Sequence, residues 1–164
     1  MKVLGVDPGL QATGYGVISI EGGVTDLLEA GVIRTLPKEG IASRLHKIYS
    51  GLADVIKEHR PDALAIEKIF AHYKHPATAI LMGHARGVVC LLSGEYGIRL
   101  ASIPSTNVKK MVTGRGHADK RQMQKMIQHE LGLKEMPEPP DVADAIAIAM
   151  AYGMSTRRMQ EAVR

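Results

Sequence analysis

Cysteine and the large aromatics are almost missing from this chain. Cys90 is the single cysteine, so no disulfide can close within the chain, and a reducing cytoplasm fits. Cys90 itself is expected to be a small core residue on a helix. Tryptophan is absent and Phe70 is the one phenylalanine. No apolar run approaches the ~20 residues that a bilayer-spanning helix needs, so no membrane role is expected. The opening Met-Lys-Val-Leu-Gly-Val-Asp is too short and too acidic for a secretory signal. Repeats and low-complexity linkers are also lacking. What remains is ordinary: 164 residues, 45% hydrophobic, enough for one domain spanning 1–164 with a full core.

The patterning predicts an α/β layer fold. Met1 to Val6 reads as a buried strand and Thr13 to Ile20 as a second. Gly22-Gly23 then forms a hairpin turn into a third strand, Val24 to Arg34. A helical stripe follows from Ile41 to His59, with Pro61 just beyond it. Asp62 to Ile66 is nearly all apolar, as a strand covered on both faces should be. Thr78 to Glu95 predicts a helix, and its Gly83, Ala85 and Gly87 would let another backbone approach closely. A fifth strand, Ile98 to Ile103, precedes helices over Ser105 to Val112, Lys120 to Leu131 and Asp141 to Tyr152. Such an order gives a five-stranded mixed sheet flanked by helices.

Four carboxylates stand where charge is costly. Asp7 closes one apolar strand and Glu67 another, at the carboxyl ends where α/β sheets place function. Asp141 and Asp144, at i and i+3, share one side of the first turn of an alanine-rich helix. Each has a bland reading. Asp7-Pro8-Gly9 fits a turn, Asp141 fits an N-cap, and Glu67 fits a surface pair with a lysine. All of them together demand a common cause. Acids converging on one spot repel each other unless cations neutralise them. Hard oxygen ligands suit Mg²⁺, with Mn²⁺ as a substitute. Two such ions ~3.5–4 Å apart serve in-line displacement at phosphorus.

Basic residues supply a reason for a polyanionic substrate. Lys109, Lys110, Arg115, Lys120, Arg121 and Lys125 stand against one acid, Asp119, a local +5 in a chain of net charge +4. This is a candidate phosphate-binding surface, although a solvated helix face has the same composition. Phe70 lies three residues past Glu67. It reads either as a core plug or as a wedge that stacks on unpaired bases.

At this point the residues resemble the RuvC family of Holliday-junction resolvases. The matching segments are Leu-Gly-Val-Asp-Pro-Gly (4–9), Thr-Gly-Tyr-Gly-Val-Ile (13–18) and Ala-Ile-Glu (65–67) with Phe70. Ala-Arg-Gly (85–87), Val-Lys (108–109), Ala-Asp-Lys (118–120) and Asp-Val-Ala-Asp-Ala (141–145) complete the set. They occur in family order and cover nearly the whole chain. The resemblance implies an RNase H-like fold, a homodimer, and Mg²⁺-dependent paired nicking of two strands at a four-way DNA junction in recombination and repair. It also implies partnership with the branch-migration motor acting on the same junctions. Asp7, Glu67, Asp141 and Asp144 match the metal-binding, catalytic acids. Lys109 and Lys120 match basic positions tied to junction binding or catalysis, and Phe70 matches the stacking aromatic. Arg86, Lys110, Arg115, His117 and Arg121 are further candidate DNA contacts. The segment after Phe70 departs from the family, which generally has Lys-Asn shortly after this aromatic. Here it reads Ala-His-Tyr-Lys-His-Pro, one residue longer, with Lys74 as the best match to the lysine and Tyr73 able to share the stacking.

Other readings stay open on sequence alone. Asp-x-Gly followed by Thr-Gly-Tyr-Gly also resembles the phosphate loop of actin-like ATPases and sugar kinases, which need two such domains. An RNase H-like nuclease acting on RNA–DNA hybrids or flaps, or a junction-binding protein without activity, would share much of the pattern.

Overall fold

The computed structural model describes residues 1–68 and 76–162. Five strands and five helices follow one another as β1 (Lys2–Asp7), β2 (Ala12–Glu21), β3 (Val24–Arg34), α1 (Ile41–His59), β4 (Ala63–Glu67), α2 (Pro76–Glu95), β5 (Arg99–Ile103), α3 (Ser105–Thr113), α4 (Lys120–Glu130) and α5 (Pro140–Ala162). They form one sheet in the order β3-β2-β1-β4-β5. The first three strands pair antiparallel, and β1-β4 and β4-β5 pair parallel. Gly22 and Gly23, both at positive φ, make the tight turn between β2 and β3. A bulge leaves Leu28 without an opposite residue, between the pairs Val17–Glu29 and Ile18–Leu27.

Side-chain alternation divides the core in two. Val3, Ile18, Ala63, Ala65 and Ile103 face α3, α4 and α5. Leu4, Val6, Val17, Leu64 and Ile66 face α1 and α2. The run Ala145 to Ala151 is buried throughout, as its lack of a polar face requires. Its small side chains let α5 lie unusually close to β1 and β2. A Cβ on Gly5 would collide with the Ala145 carbonyl and Ala149, and one on Gly14 with the Asp141 carbonyl.

Three expectations need correction. Helix α5 runs ten residues past Tyr152, because Gly153 packs against Ile20 of β2 instead of ending the helix. Cys90 is exposed, not a core residue. It shares an outward stretch of α2 with Leu91, which is 60% exposed, while Ala85, Val89 and Leu92 fill the core side. The small residues of α2 also divide. Ala85 is fully buried in its own chain, whereas a Cβ at Gly83 or Gly87 would meet nothing.

Candidate active site

The two strand-end acids lie on one face of the sheet. Asp7 follows Val3 and Gly5 by alternation, and Glu67 follows Ala63 and Ala65, so both carboxylates face the α5 side. Asp7 stands opposite Gly14 in the β1–β2 ladder. The first turn of α5 rests on that glycine, which brings Asp141 beside Asp7. Asp144 is three residues further along the same helix, on the same side.

The electrostatics follow from this placement. Asp7 is pushed up from 3.8 to about 7, first by burial, then by the negative charges of Asp144, Asp141 and Glu67, with Lys120 opposing. Asp144 is also raised, chiefly by burial; Lys120 opposes this, Asp141 adds to it and Lys109 opposes it. A carboxyl half ionised near neutrality, held among three more, is a site that lacks positive charge.

The basic residues are close by, although the acids and the Lys109–Lys125 segment read as separate clusters in the sequence. A cavity of about 200 Å³ is lined by Glu67, Ser105, Lys109, Lys120 and Asp144 over an apolar floor that includes Val108, Met123 and Ile148. Lys120 Nζ lies 3.8 Å from Asp144 Oδ2. Local sequence explains how it gets there. Asp119 caps α4 by accepting from the Gln122 N–H at 2.8 Å, and the Gln122 side chain accepts from the Asp119 N–H at 3.0 Å. Lys120 is therefore the first helical residue, aimed at the start of α5. Ser105 had no signal in the sequence; only the turn from β5 into α3 places it on the cavity wall.

The other candidates scatter. Lys110, Arg115, His117 and Arg121 are exposed around α3 and α4. Arg86 is half-buried on α2 and spends its guanidinium on its own chain, donating to the Glu67 carbonyl at 2.6 Å and to Ser102 Oγ at 2.8 Å. Phe70, Tyr73 and Lys74 lie outside the described residues.

A second polar cluster was missed altogether. Glu29 of β3 accepts from the Tyr15 hydroxyl at 2.7 Å, and from His59 Nε2 at 2.6 Å; Glu58 stands nearby. Those hydrogen bonds, His59's first, lower the Glu29 pKa. No spacing rule joins residues 15, 29 and 59; only strand pairing and the packing of α1 do.

The donor set at Asp7, Glu67, Asp141 and Asp144 is oxygen alone, and the negative charges of the other three help raise Asp7. Both facts fit a hard divalent cation. The sheet order with these acids at adjacent strand ends defines an RNase H-like nuclease fold. The family model described as Crossover junction endodeoxyribonuclease RuvC matches residues 3–152, and the chain belongs to that family. A crossover junction endodeoxyribonuclease RuvC from Rhodopirellula baltica is 48% identical over 90% of this chain and 83% of the relative. One from Thermosipho melanesiensis is 41% identical over 96% and 99%. Among solved structures, the T. thermophilus RuvC in complex with a Holliday junction substrate superposes with a TM-score of 0.91. It is 34% identical and covers 96% of both chains. The yeast mitochondrial resolvase Ydc2, at 14% identity and TM-score 0.70, shares the fold.

Proposed function

We propose that the protein resolves four-way DNA junctions by paired, metal-dependent nicking of two strands, in recombination and repair. The observation that carries this is the convergence of Asp7, Glu67, Asp141 and Asp144 on one face, with Asp7 pushed up to about 7 beside a lysine-lined cavity. The same four acids would hold the cation. When bound, Mg²⁺ or Mn²⁺, two ions in the fullest form of the site, supplies charge for the attacking water and the leaving oxygen.

The chain's own residues do the rest. Lys120, on the wall of the cavity, stabilises charge that builds on the scissile phosphate. Lys109, one wall residue over, holds the backbone. Lys110, Arg115, His117 and Arg121 extend a basic surface along the DNA arms, where contacts position without reading sequence. In the sequence Phe70 comes three residues after Glu67, and an aromatic there would stack on bases unpaired at the crossover, with Tyr73 and Lys74 a few residues further along the sequence.

A junction offers two equivalent strands, which a two-fold dimer meets with one site each. Helix α2 suits the contact. Ile80, Leu81 and Leu91 are 61%, 44% and 60% exposed, and Gly83, Gly87 and Gly94 leave room for a second backbone. A Gly83→Glu variant would then sediment as a folded monomer that nicks without cutting both strands together. The branch-migration motor of the same pathway is the expected partner, and the cytoplasm the expected place. Among the described residues no helix is long and apolar enough to cross a membrane.

The deciding experiment gives purified protein a synthetic mobile four-way junction, with and without Mg²⁺. Symmetric nicks that require the metal, unaffected by excess RNA–DNA hybrid or flap DNA, support the reading. Preference for the hybrid, or binding with no cleavage in any divalent metal, overturns it.

A further inference from the structure

Glu67 reaches its place at the end of an interrupted ladder. The β1–β4 pairing ends at Val6 and Ile66, one residue short of it. On the other side, the β4–β5 pairing includes Glu67 and Ile103, and the Lys68 N–H still donates to the Ile103 carbonyl at 2.8 Å. The Glu67 carbonyl accepts from one terminal nitrogen of Arg86 at 2.6 Å. The other nitrogen donates to Ser102 Oγ at 2.8 Å, and Ser102 stands opposite Ile66 in β5. The fork therefore ties β4 and β5 together at the strand end.

We propose that Arg86 is a positioning residue for Glu67, gripping its peptide from the α2 face of the sheet while the carboxylate faces α5. The proposal rests on the reading of Glu67 as an active-site acid. A half-buried guanidinium needs acceptors, and here each terminal nitrogen has one within the chain. The group is thus committed to strand geometry, where a planar two-pronged donor does what a lysine ammonium does less well. Main-chain direction at Glu67 sets where its Cβ points, and metal sites tolerate errors of only ~0.5 Å. Arg86 also follows Ala85, which is fully buried, on the helix whose other side is exposed and apolar. Whatever seats α2 consequently acts on Glu67 through this one side chain.

The test compares the unmodified protein with Arg86→Met, Arg86→Lys, Ser102→Ala and Glu67→Gln. Four quantities are read: Mn²⁺ affinity by calorimetry without DNA, turnover at saturating junction, junction Kd without divalent metal, and melting temperature. Arg86→Met should lower Mn²⁺ affinity or turnover ~10–100-fold, as losses of supporting hydrogen bonds do. Its junction Kd should stay within about threefold, and added Mn²⁺ should recover part of the rate. Arg86→Lys should restore some of the loss. Ser102→Ala, which frees one prong without touching Glu67 and keeps the packing of α2, should show a smaller loss of the same kind and serves if Arg86→Met does not fold. Weakened junction binding with an unchanged metal requirement would make Arg86 a phosphate contact and overturn the proposal. A drop in melting temperature with normal Mn²⁺ affinity would reduce it to a structural role. A normal loss in Glu67→Gln beside unaffected Arg86 and Ser102 variants overturns the proposal alone, whereas full cleavage by Glu67→Gln overturns the active-site reading with it.

Discussion

Asp7 and Glu29 belong to the same sheet, yet the fold moves their ionisation in opposite directions. Asp7 rises to about 7 because burial and three neighbouring acids disfavour its charge. Glu29 is lowered because His59 and Tyr15 both donate to it. Both sit in carboxylate-rich clusters, and the cluster by itself tells little. The difference is what the rest of the chain provides. Each Glu29 carboxylate oxygen accepts a hydrogen bond, one from Tyr15 and one from His59, and the trio fastens the end of α1 to β2 and β3. Around Asp7 the protein assembles negative charge and offers only lysines at the margin. A fold that tolerates such repulsion leaves room for a ligand of opposite sign.

The largest expected effect falls on the unsatisfied side. Asp7→Asn should reduce junction cleavage by ~10³-fold or more. Junction affinity should hold or improve, since a negative charge near phosphate is removed. Gel-based cleavage and binding assays on the same preparation separate the two, and full cleavage would sink the site assignment. Lys120→Ala should come next, with turnover down ~10²-fold and binding little changed. Lys109→Ala should instead weaken binding and reduce its salt dependence by about one phosphate contact. Equal losses in both variants, confined to binding, would argue against separate roles.

Ionisation sharpens the contrast. The folded chain holds a proton on Asp7 between pH 3.8 and about 7 that the unfolded chain has released. Its contribution to stability therefore falls as pH rises through that window, by at most ~4 kcal/mol. Melting of the metal-free protein followed from pH 4 to 8 should show the decline, Asp7→Asn should flatten it, and saturating Mg²⁺ should oppose it. Calorimetry at pH 7 in buffers of different ionisation enthalpy should detect protons released as the metal binds. Glu29 has the opposite sign: its stabilisation is present above the ordinary carboxylate range and lost as pH falls through its lowered value. The smallest effect belongs here. Glu29→Gln should cost ~1–3 kcal/mol, from bonds made to a charged acceptor, and leave cleavage within a few-fold of normal. A dead but stable Glu29→Gln enzyme would erase the distinction between the clusters.

Sequence alone determined a good deal. Period-2 and period-3.6 patterning placed all ten elements of the described residues, since burial on one or two faces leaves its mark locally. Strand ends and the first turn of α5 also marked the four acids, because charge beside apolar runs is conspicuous one residue at a time. The apolar pattern marks α5 only as far as Tyr152, whereas the helix continues to Ala162, with Gly153 packed closely against Ile20. Cys90 is expected in the core as a small apolar residue on a helix, but the outward side of α2 is apolar too and carries it. Other features belong to tertiary structure entirely. The approach of α5 to Gly14, the entry of Lys109 and Lys120 into the acids' cavity, the clip of Tyr15, Glu29 and His59, and the grip of Arg86 on Glu67 all join residues far apart in the chain. Local patterning records which face of an element is buried; it holds no record of which distant residue that face will meet, and contacts of that kind decide whether a carboxylate is hydrogen-bonded by its own chain or crowded among like charges.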